Sequence, residues 1–256
     1  MARVAVFDSG FGSLSIIKPI QKRTKTEIIY FADQKNFPYA AKSVRELRKI
    51  IKSTILLLQE KFKPDLIIIG SNTPSILLKG VLKKSKIIGV FPPLRNAVDN
   101  TKSKSVAILS TRSIVESKAL QIYINKSVPK NINIIKINAS PLVDLVESGK
   151  FISNANFCKK QIKRILQPLL EINVDVATLS STHLPFLLSM LRQIYPSITF
   201  LDPANAIADQ VTRTLNRKRS KNNSMKIFTS GNISCFQQQL RKIGIKNKVR
   251  PLSLDL

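Results

Sequence analysis

A chain of 256 residues with 43% apolar content and a mean hydropathy of +0.01 holds enough core-forming material for one large or two ordinary globular domains, which argues against a disordered chain. Its 42 Lys and Arg against 15 Asp and Glu give a formal charge of +27, a field that attracts polyanions. Two cysteines without CxxC spacing, Cys158 and Cys235, and one histidine, His183, indicate neither a zinc site nor a disulfide framework, so both thiols read as structural bystanders.

Runs rich in β-branched residues predict strands at 4–7, 28–31, 66–69, 87–90, 106–109, 132–137, 174–179, 198–201 and 225–228. Between them, helical periodicity is clearest at 43–62, which places Val44, Leu47, Ile50, Ile51, Ile55, Leu58 and Phe62 on one side. Further helices are expected at 157–170, 185–195, 203–215 and 234–243. This alternation predicts an α/β fold of βαβ units around largely parallel sheets. No stretch approaches the ~18 uncharged apolar residues of a membrane span. Met1-Ala2-Arg3 runs directly into strand-like sequence and leaves no room for a signal peptide, so a cytoplasmic protein without membrane association is expected.

Most of the basic residues read as solvated helix faces, as in Lys83-Lys84, Lys159-Lys160 and Arg241-Lys242. From Gln210 to Leu254, however, there are 11 Lys or Arg and no acid, including Arg217-Lys218-Arg219-Ser220-Lys221. Trp is absent and aromatics make up 6%, so stacking platforms for bases are scarce. Loose affinity for polyanions or nucleic acid is expected in preference to sequence-specific reading.

Two pairs of segments repeat within the chain. Val4-Ala5-Val6-Phe7-Asp8-Ser9 returns 102 positions later as Val106-Ala107-Ile108-Leu109-Ser110-Thr111. Asp65 to Thr73 (DLIIIGSNT) returns 110 positions later as Asp175 to His183 (DVATLSSTH). Similar offsets imply two related lobes, each ending two strands in small hydroxylated residues. Ligands of parallel α/β sheets bind beyond the carboxyl ends of strands, where helix N-termini present free N–H groups, so these four polar ends are expected to face one cleft. The alternative is that such Ser and Thr only cap the helices that follow.

Read in order, the motifs resemble those of glutamate racemases. Val6 to Leu14 (VFDSGFGSL) is similar to that family's DSGxGG loop, and Tyr30-Phe31-Ala32-Asp33 with Phe37-Pro38-Tyr39-Ala40 to its strand and PYG turn. Leu66 to Ser75 (LIIIGSNTPS) resembles the CNTAS segment, and Ser110 to Ala119 (STRSIVESKA) the GTxxTVxSxA segment. Pro141 to Gly149 (PLVDLVESG) is similar to a PLVEEG-type stretch, and Leu179 to Leu187 (LSSTHLPFL) to the LGCTHYPLL signature. Phe228-Thr229-Ser230-Gly231 before a helix containing Phe236, then a basic strand, complete the likeness.

The resemblance implies two Rossmann-like lobes related by approximate twofold symmetry, 1–95 with 206–256 and 96–205, with a small acidic amino acid bound between them. It implies no organic cofactor and no metal, and leaves a homodimer open. Members invert the α-carbon of glutamate with two cysteines, one removing the proton from one face while the other supplies it from the opposite face. By position Ser71 and Ser181 stand at those cysteines. Asp8 would assist the first base, and His183 with Glu147 the second. Ser9, Pro38, Tyr39, Ala40, Asn72, Thr73 and Thr182 would cradle the substrate.

The departures have a direction. An α-proton of an amino acid is feebly acidic, so its removal needs a strong base in a dry site. A thiol ionises near pH 8.5, whereas a serine hydroxyl is several units less acidic. Glycines of the family are replaced by Ser13, Ala40, Ser110 and Ser180, which is expected to reshape the pocket loops. Pro74 stands at a usual Ala, and Ile114 at a family Thr. No G-x-S-x-G elbow surrounds either serine, which argues against a hydrolase. Three readings follow: a binder of an acidic amino acid with weak or lost racemase activity, an isomerase with altered bases, or a basic polyanion-binding protein.

Overall fold

The computed structural model describes residues 1–80, 86–216 and 218–253, so the expected solvated pair Lys83-Lys84 and Arg217 lie outside the described residues. Strands form at each of the nine β-branched runs: β1 Arg3–Asp8, β2 Glu27–Ala32, β3 Leu66–Ile69, β4 Ile87–Gly89, β5 Ser105–Ser110, β6 Asn133–Asn138, β7 Val176–Leu179, β8 Thr199–Leu201 and β9 Ser224–Thr229. The final basic strand is β10, Val249–Pro251. All pairings are parallel, in one sheet of order β10-β9-β2-β1-β3-β4 and another of order β6-β5-β7-β8. The chain divides into two units, Met1–Val90 with Ala204–Leu256, and Phe91–Pro203.

The sequence repeat is also a repeat of register. In the first unit Val4 pairs with Leu66 and Phe7 with Ile69; in the second, Val106 pairs with Val176 and Leu109 with Leu179. Even the bonds that carry the chain off the strand ends match. The Gly70 N–H donates to Phe7 O at 2.8 Å and the Ser180 N–H to Leu109 O at 2.9 Å. The Asp33 N–H donates to Asp8 O at 2.8 Å and the Ala139 N–H to Ser110 O at 2.7 Å. Four strands, β2-β1-β3-β4, therefore have the same order as β6-β5-β7-β8, and the first unit adds β9 and β10 beside β2.

The first sheet is apolar on both faces, as a helix-covered parallel sheet must be. Its largest covering helix, Val44–Phe62, starts at Ser43, whose hydroxyl accepts the Glu46 N–H at 3.2 Å, and ends at Lys63 with φ 46°. Leu47, Ile50, Ile51, Ile55 and Leu58 are buried against β1, β2 and β3, each such side chain contributing about 1.5–3 kcal/mol. Val44 falls outside the expected stripe at 46% exposure. Phe62 packs on Phe228 with ring centroids 4.8 Å apart.

Other helices differ from expectation. The segment 157–170 is two helices, Ala155–Leu166 and Pro168–Glu171, because Pro168 has no N–H to continue the ladder. The segment 185–195 opens with a tight 3₁₀ turn, Leu184–Leu187, before Leu188–Ile194. Unanticipated helices include Ile17–Arg23, Asn72–Leu77, Leu94–Asn100, Lys118–Ser127 and Ser140–Glu147. Among the described residues no helix is long and apolar enough to cross a membrane. Cys158 is buried, Cys235 exposed, and both are free thiols.

Each unit anchors the start of its central strand with the same aspartate. Asp65 Oδ2 accepts the Arg3 N–H at 2.9 Å. Its counterpart Asp175 accepts from Thr101 Oγ1 at 2.6 Å, Ser103 Oγ at 2.8 Å, and the N–H groups of Lys102 and Ser103 at 2.6 and 2.9 Å. Burial pushes the Asp175 carboxyl up, but these four donors outweigh it and hold the pKa at about 2. A depressed pKa stabilises the fold above the unfolded value and loses that effect as pH falls through the folded one. Asp175→Asn is therefore expected to cost about 1–2 kcal/mol at pH 7, a penalty that shrinks between pH 4 and 2 in urea titrations.

Candidate active site

In the first unit the polar residues lie at the carboxyl ends of β1, β2, β3 and β9. Asp8 closes β1 at 2% exposure, and its Oδ1 accepts the Ser9 N–H at 2.7 Å. The Ser9 hydroxyl in turn lies 3.4 Å from the Tyr39 N–H. Tyr39 is itself buried, and its hydroxyl donates to Asp33 Oδ2 at 3.0 Å, so that side chain is occupied within the protein. Burial pushes the Tyr39 phenol far up, assisted by the negative charges of Asp33 and Asp8. Pro38, after the cis Phe37-Pro38 bond, is exposed, and Ala40 is half-buried.

Sequence reasoning passed over Asp33 as a site residue. This fully buried carboxyl also accepts the Asn36 amide at 2.9 and 3.0 Å and the Ser230 hydroxyl at 3.0 Å. Burial pushes its pKa up against the pull of Asn36, Tyr39 and Ser230. It binds the end of β2, the 34–41 turn and the end of β9 together. Its signal was available: a lone acid directly after a hydrophobic strand, the same feature that marks Asp8.

Beyond β3 the chain reads Gly70-Ser71-Asn72-Thr73, with Asn72 and Thr73 opening the helix Asn72–Leu77. Asn72 is 4% exposed, and neither its Oδ1 nor its Nδ2 has a hydrogen-bond partner among the described residues. A buried amide with both ends unpaired costs about 1–3 kcal/mol, so both ends of Asn72 are open to a polar partner. Ser71 precedes the helix with φ −134° and is half-buried, but its side chain makes no capping bond. Capping therefore does not explain Ser71.

Gly70 is fixed by space. A Cβ there would lie 2.3 Å from Ser13 Cβ, 2.7 Å from Ser13 Oγ and 3.1 Å from Phe7 O. Ser13 is fully buried, with its hydroxyl 3.2 Å from that of Tyr30. Gly70→Ala is expected to destabilise by about 2–3 kcal/mol in chemical denaturation, and Ser13→Gly in the same chain to recover most of the loss. The four positions expected to reshape the loops by losing glycine, Ser13, Ala40, Ser110 and Ser180, all have φ outside the left-handed region. Their side chains thus impose no backbone strain. Ser110 and Ser180 instead tie strand ends together: the Ser110 hydroxyl donates to Ser180 O at 2.8 Å, and Ser180 Oγ lies 2.9 Å from Thr178 Oγ1.

In the second unit Ser181, Thr182 and His183 follow β7 and are 7%, 3% and 6% exposed. His183 Nε2 lies 2.8 Å from Glu147 Oε2, at the end of the helix Ser140–Glu147, where Gly149 with φ 74° turns the chain. This contact joins two expected residues 36 positions apart. Thr111 occupies the N-cap position of Arg112–Val115 without a side-chain cap bond, and Ile114 is fully buried. The hydroxyls of Ser71 and Ser181 make no hydrogen bond among the described residues, so no base among those residues is engaged with either.

The motifs, the repeated strand ends and the buried polar groups all point to one family, and comparison decides it. The racemase of Aliarcobacter butzleri (strain RM4018), "Glutamate racemase", is 31% identical over 227 residues, covering 86% of each chain. The chain belongs to the glutamate racemase family. No protein-family model matches it. Among solved structures, Escherichia coli glutamate racemase in complex with L-glutamate and the activator UDP-MurNAc-ala superposes with a TM-score of 0.85 at 25% identity, over 99% of this chain and 98% of that one. The glutamate racemase of Francisella tularensis in complex with D-glutamate shares the fold, with a TM-score of 0.80 at 24% identity over 99% and 98% of the two chains.

Proposed function

We propose that this glutamate racemase family member binds an acidic amino acid, glutamate or aspartate, and has lost most or all racemase activity because Ser71 and Ser181 stand where the reaction needs thiols. The observation that carries the binding half is Asn72: a buried carboxamide with donor and acceptor both unmet supports a ligand that offers a carboxylate and an ammonium. Ser9, Thr73 and Thr182 would complete the cradle, and Asp8 would face the ligand's cationic end. That relatives are crystallised with L- and D-glutamate supports the same ligand class.

The loss of activity follows from acidity. With a gap of about five units between hydroxyl and thiol, forming the alkoxide costs roughly 7 kcal/mol more, about 10⁵ in rate if fully expressed. The hydroxyls of Ser71 and Ser181, unpartnered among the described residues, support that reading, since no base among those residues draws their protons away. Asp8, a neighbouring anion, would oppose ionisation of Ser71 further.

The His183–Glu147 contact favours a second reading on one side only. A histidine held by a carboxylate is a general base, so slow exchange of the α-proton at one face would proceed with the stereocentre kept. Calorimetric titration with D- and L-glutamate and D- and L-aspartate tests the binding claim. Heat and thermal stabilisation by at least one of them at millimolar concentration are expected; no response to any overturns the reading.

A further inference from the structure

The six-stranded sheet has a second edge. Because β1, β2, β3, β4, β9 and β10 run parallel, all of them start on the side opposite Asp8, Asp33 and Ser71. The helices Ile17–Arg23 and Ile233–Lys242 lead back to that side, into β2 and β10, and Ala204–Thr214 leads into β9. The connecting segments are knitted there: the Ser220 N–H donates to Lys25 O at 2.8 Å, the Thr26 N–H to Asn223 Oδ1 at 3.0 Å, and Asn223 Nδ2 to Gln21 O at 3.0 Å.

Two depressions open on this edge. One, of about 520 Å³, has an apolar floor of Leu14, Ile17, Met225, Ile243 and Ile245, with Lys18 and Lys22 on its wall. The other, of about 220 Å³, is lined by Arg213, Lys218 and Arg219 with Thr24, Thr212 and Asn216. They adjoin through residues 21–24. Three acids at the edge are already paired: Asp209 with Arg23 at 3.1 Å, Asp65 with Lys218 at 2.5 Å and Glu27 with Lys226 at 2.7 Å. Lys18, Lys22, Lys25, Arg213, Arg219 and Lys221 are exposed and have no ion pair among the described residues, and the same holds for Lys242, Lys246 and Lys248 on the approach to β10.

Cations are drawn to the last turn of a helix by its negative pole, which accounts for Lys22, Arg213 and Lys242. Lys25, Arg219, Lys221, Lys246 and Lys248 lie on connecting segments with no such pole to offset. We propose that this edge is a docking surface for duplex nucleic acid, held through its phosphates without reading sequence. The charge complement is a line of phosphates. No aromatic residue lines either depression, so the stacking that holds single strands is missing.

The test is fluorescence anisotropy of a labelled ~20-base-pair duplex over a salt series. Four phosphate contacts predict a slope of log K against log salt of about −3.6 for the unaltered protein. The exposed set Lys18→Ala, Lys22→Ala, Arg213→Ala, Arg219→Ala is expected to weaken binding at least ~10-fold. A control set of equal charge in the other unit, Lys118→Ala, Lys126→Ala, Lys130→Ala, Lys160→Ala, is expected to weaken it less than ~2-fold. Equal losses in both sets overturn the proposal, as does absence of binding by the unaltered protein at 100 mM salt. Tighter capture of inorganic polyphosphate or single-stranded DNA at equal charge overturns the assignment to duplex. The salt slope keeps the test valid should a variant fold poorly, and none of these readings depends on amino-acid binding.

Discussion

Replacing Ser71 and Ser181 together by cysteine is expected to create α-proton exchange and racemisation of glutamate, up to about 10⁵-fold above the unaltered protein. Both hydroxyls follow equivalent strand ends of a repeated sheet, Ser71 after β3 and Ser181 after β7, and both are free of hydrogen bonds among the described residues. The exchange from oxygen to sulfur adds little volume at a half-buried site and at one 7% exposed, so the fold should tolerate it. Either single replacement leaves one face without a strong base. Inversion needs both faces, so each single variant should exchange the proton of one enantiomer while racemising far more slowly than the double. The measurements are circular dichroism for inversion and α-deuterium incorporation in heavy water for exchange, on each glutamate enantiomer with the four proteins. Equal racemisation by unaltered and doubly substituted protein contradicts the account, as does equal inactivity when both bind glutamate.

Asn72→Leu is expected to raise stability while abolishing ligand binding. A buried carboxamide without partners is a debt carried in the free protein, about 1–3 kcal/mol. Leucine has the same branched four-atom side-chain skeleton, somewhat larger, and no polar atoms, so about 1–2 kcal/mol should be recovered, equivalent to roughly 2–6 °C in Tm for a chain of this size. The same change removes a donor and an acceptor from the ligand cradle, so heat of binding to glutamate should vanish. A stability gain beside a functional loss is the signature of a polar group kept for a ligand. A destabilised variant, or one that still binds, assigns Asn72 a structural role.

Much of this was legible because strands announce themselves with β-branched runs. The offsets of the two repeats also translate directly into matching registers, Val4 with Leu66 and Val106 with Val176. Asp8, Ser71 and Ser181 could be marked from their place at strand ends alone. Short helices were hidden: Asn72–Leu77 and Leu94–Asn100 span barely two turns, too few for a 3.6-residue period to stand out. Lys118–Ser127 buries only Leu120 and Ile124. Glu147 and His183 came from the family likeness, since nothing in a spacing of 36 residues predicts a 2.8 Å contact. Asp33 carried the same signal as Asp8, an acid directly after a strand, whereas the unmet amide of Asn72 is a property of burial, which a sequence does not display. At Ser13, Ala40, Ser110 and Ser180 φ lies outside the left-handed region, a property that a sequence does not display.

The central claim, a racemase-family site that holds an acidic amino acid without the bases to invert it, is tested most directly in heavy water. The unaltered protein is incubated at high concentration with each glutamate enantiomer, at ligand levels that calorimetry shows to be saturating, and α-deuterium is followed by proton NMR. The account predicts an occupied site with no racemisation, and at most slow exchange from one enantiomer through His183. Rapid deuterium incorporation into both enantiomers with racemisation would contradict it.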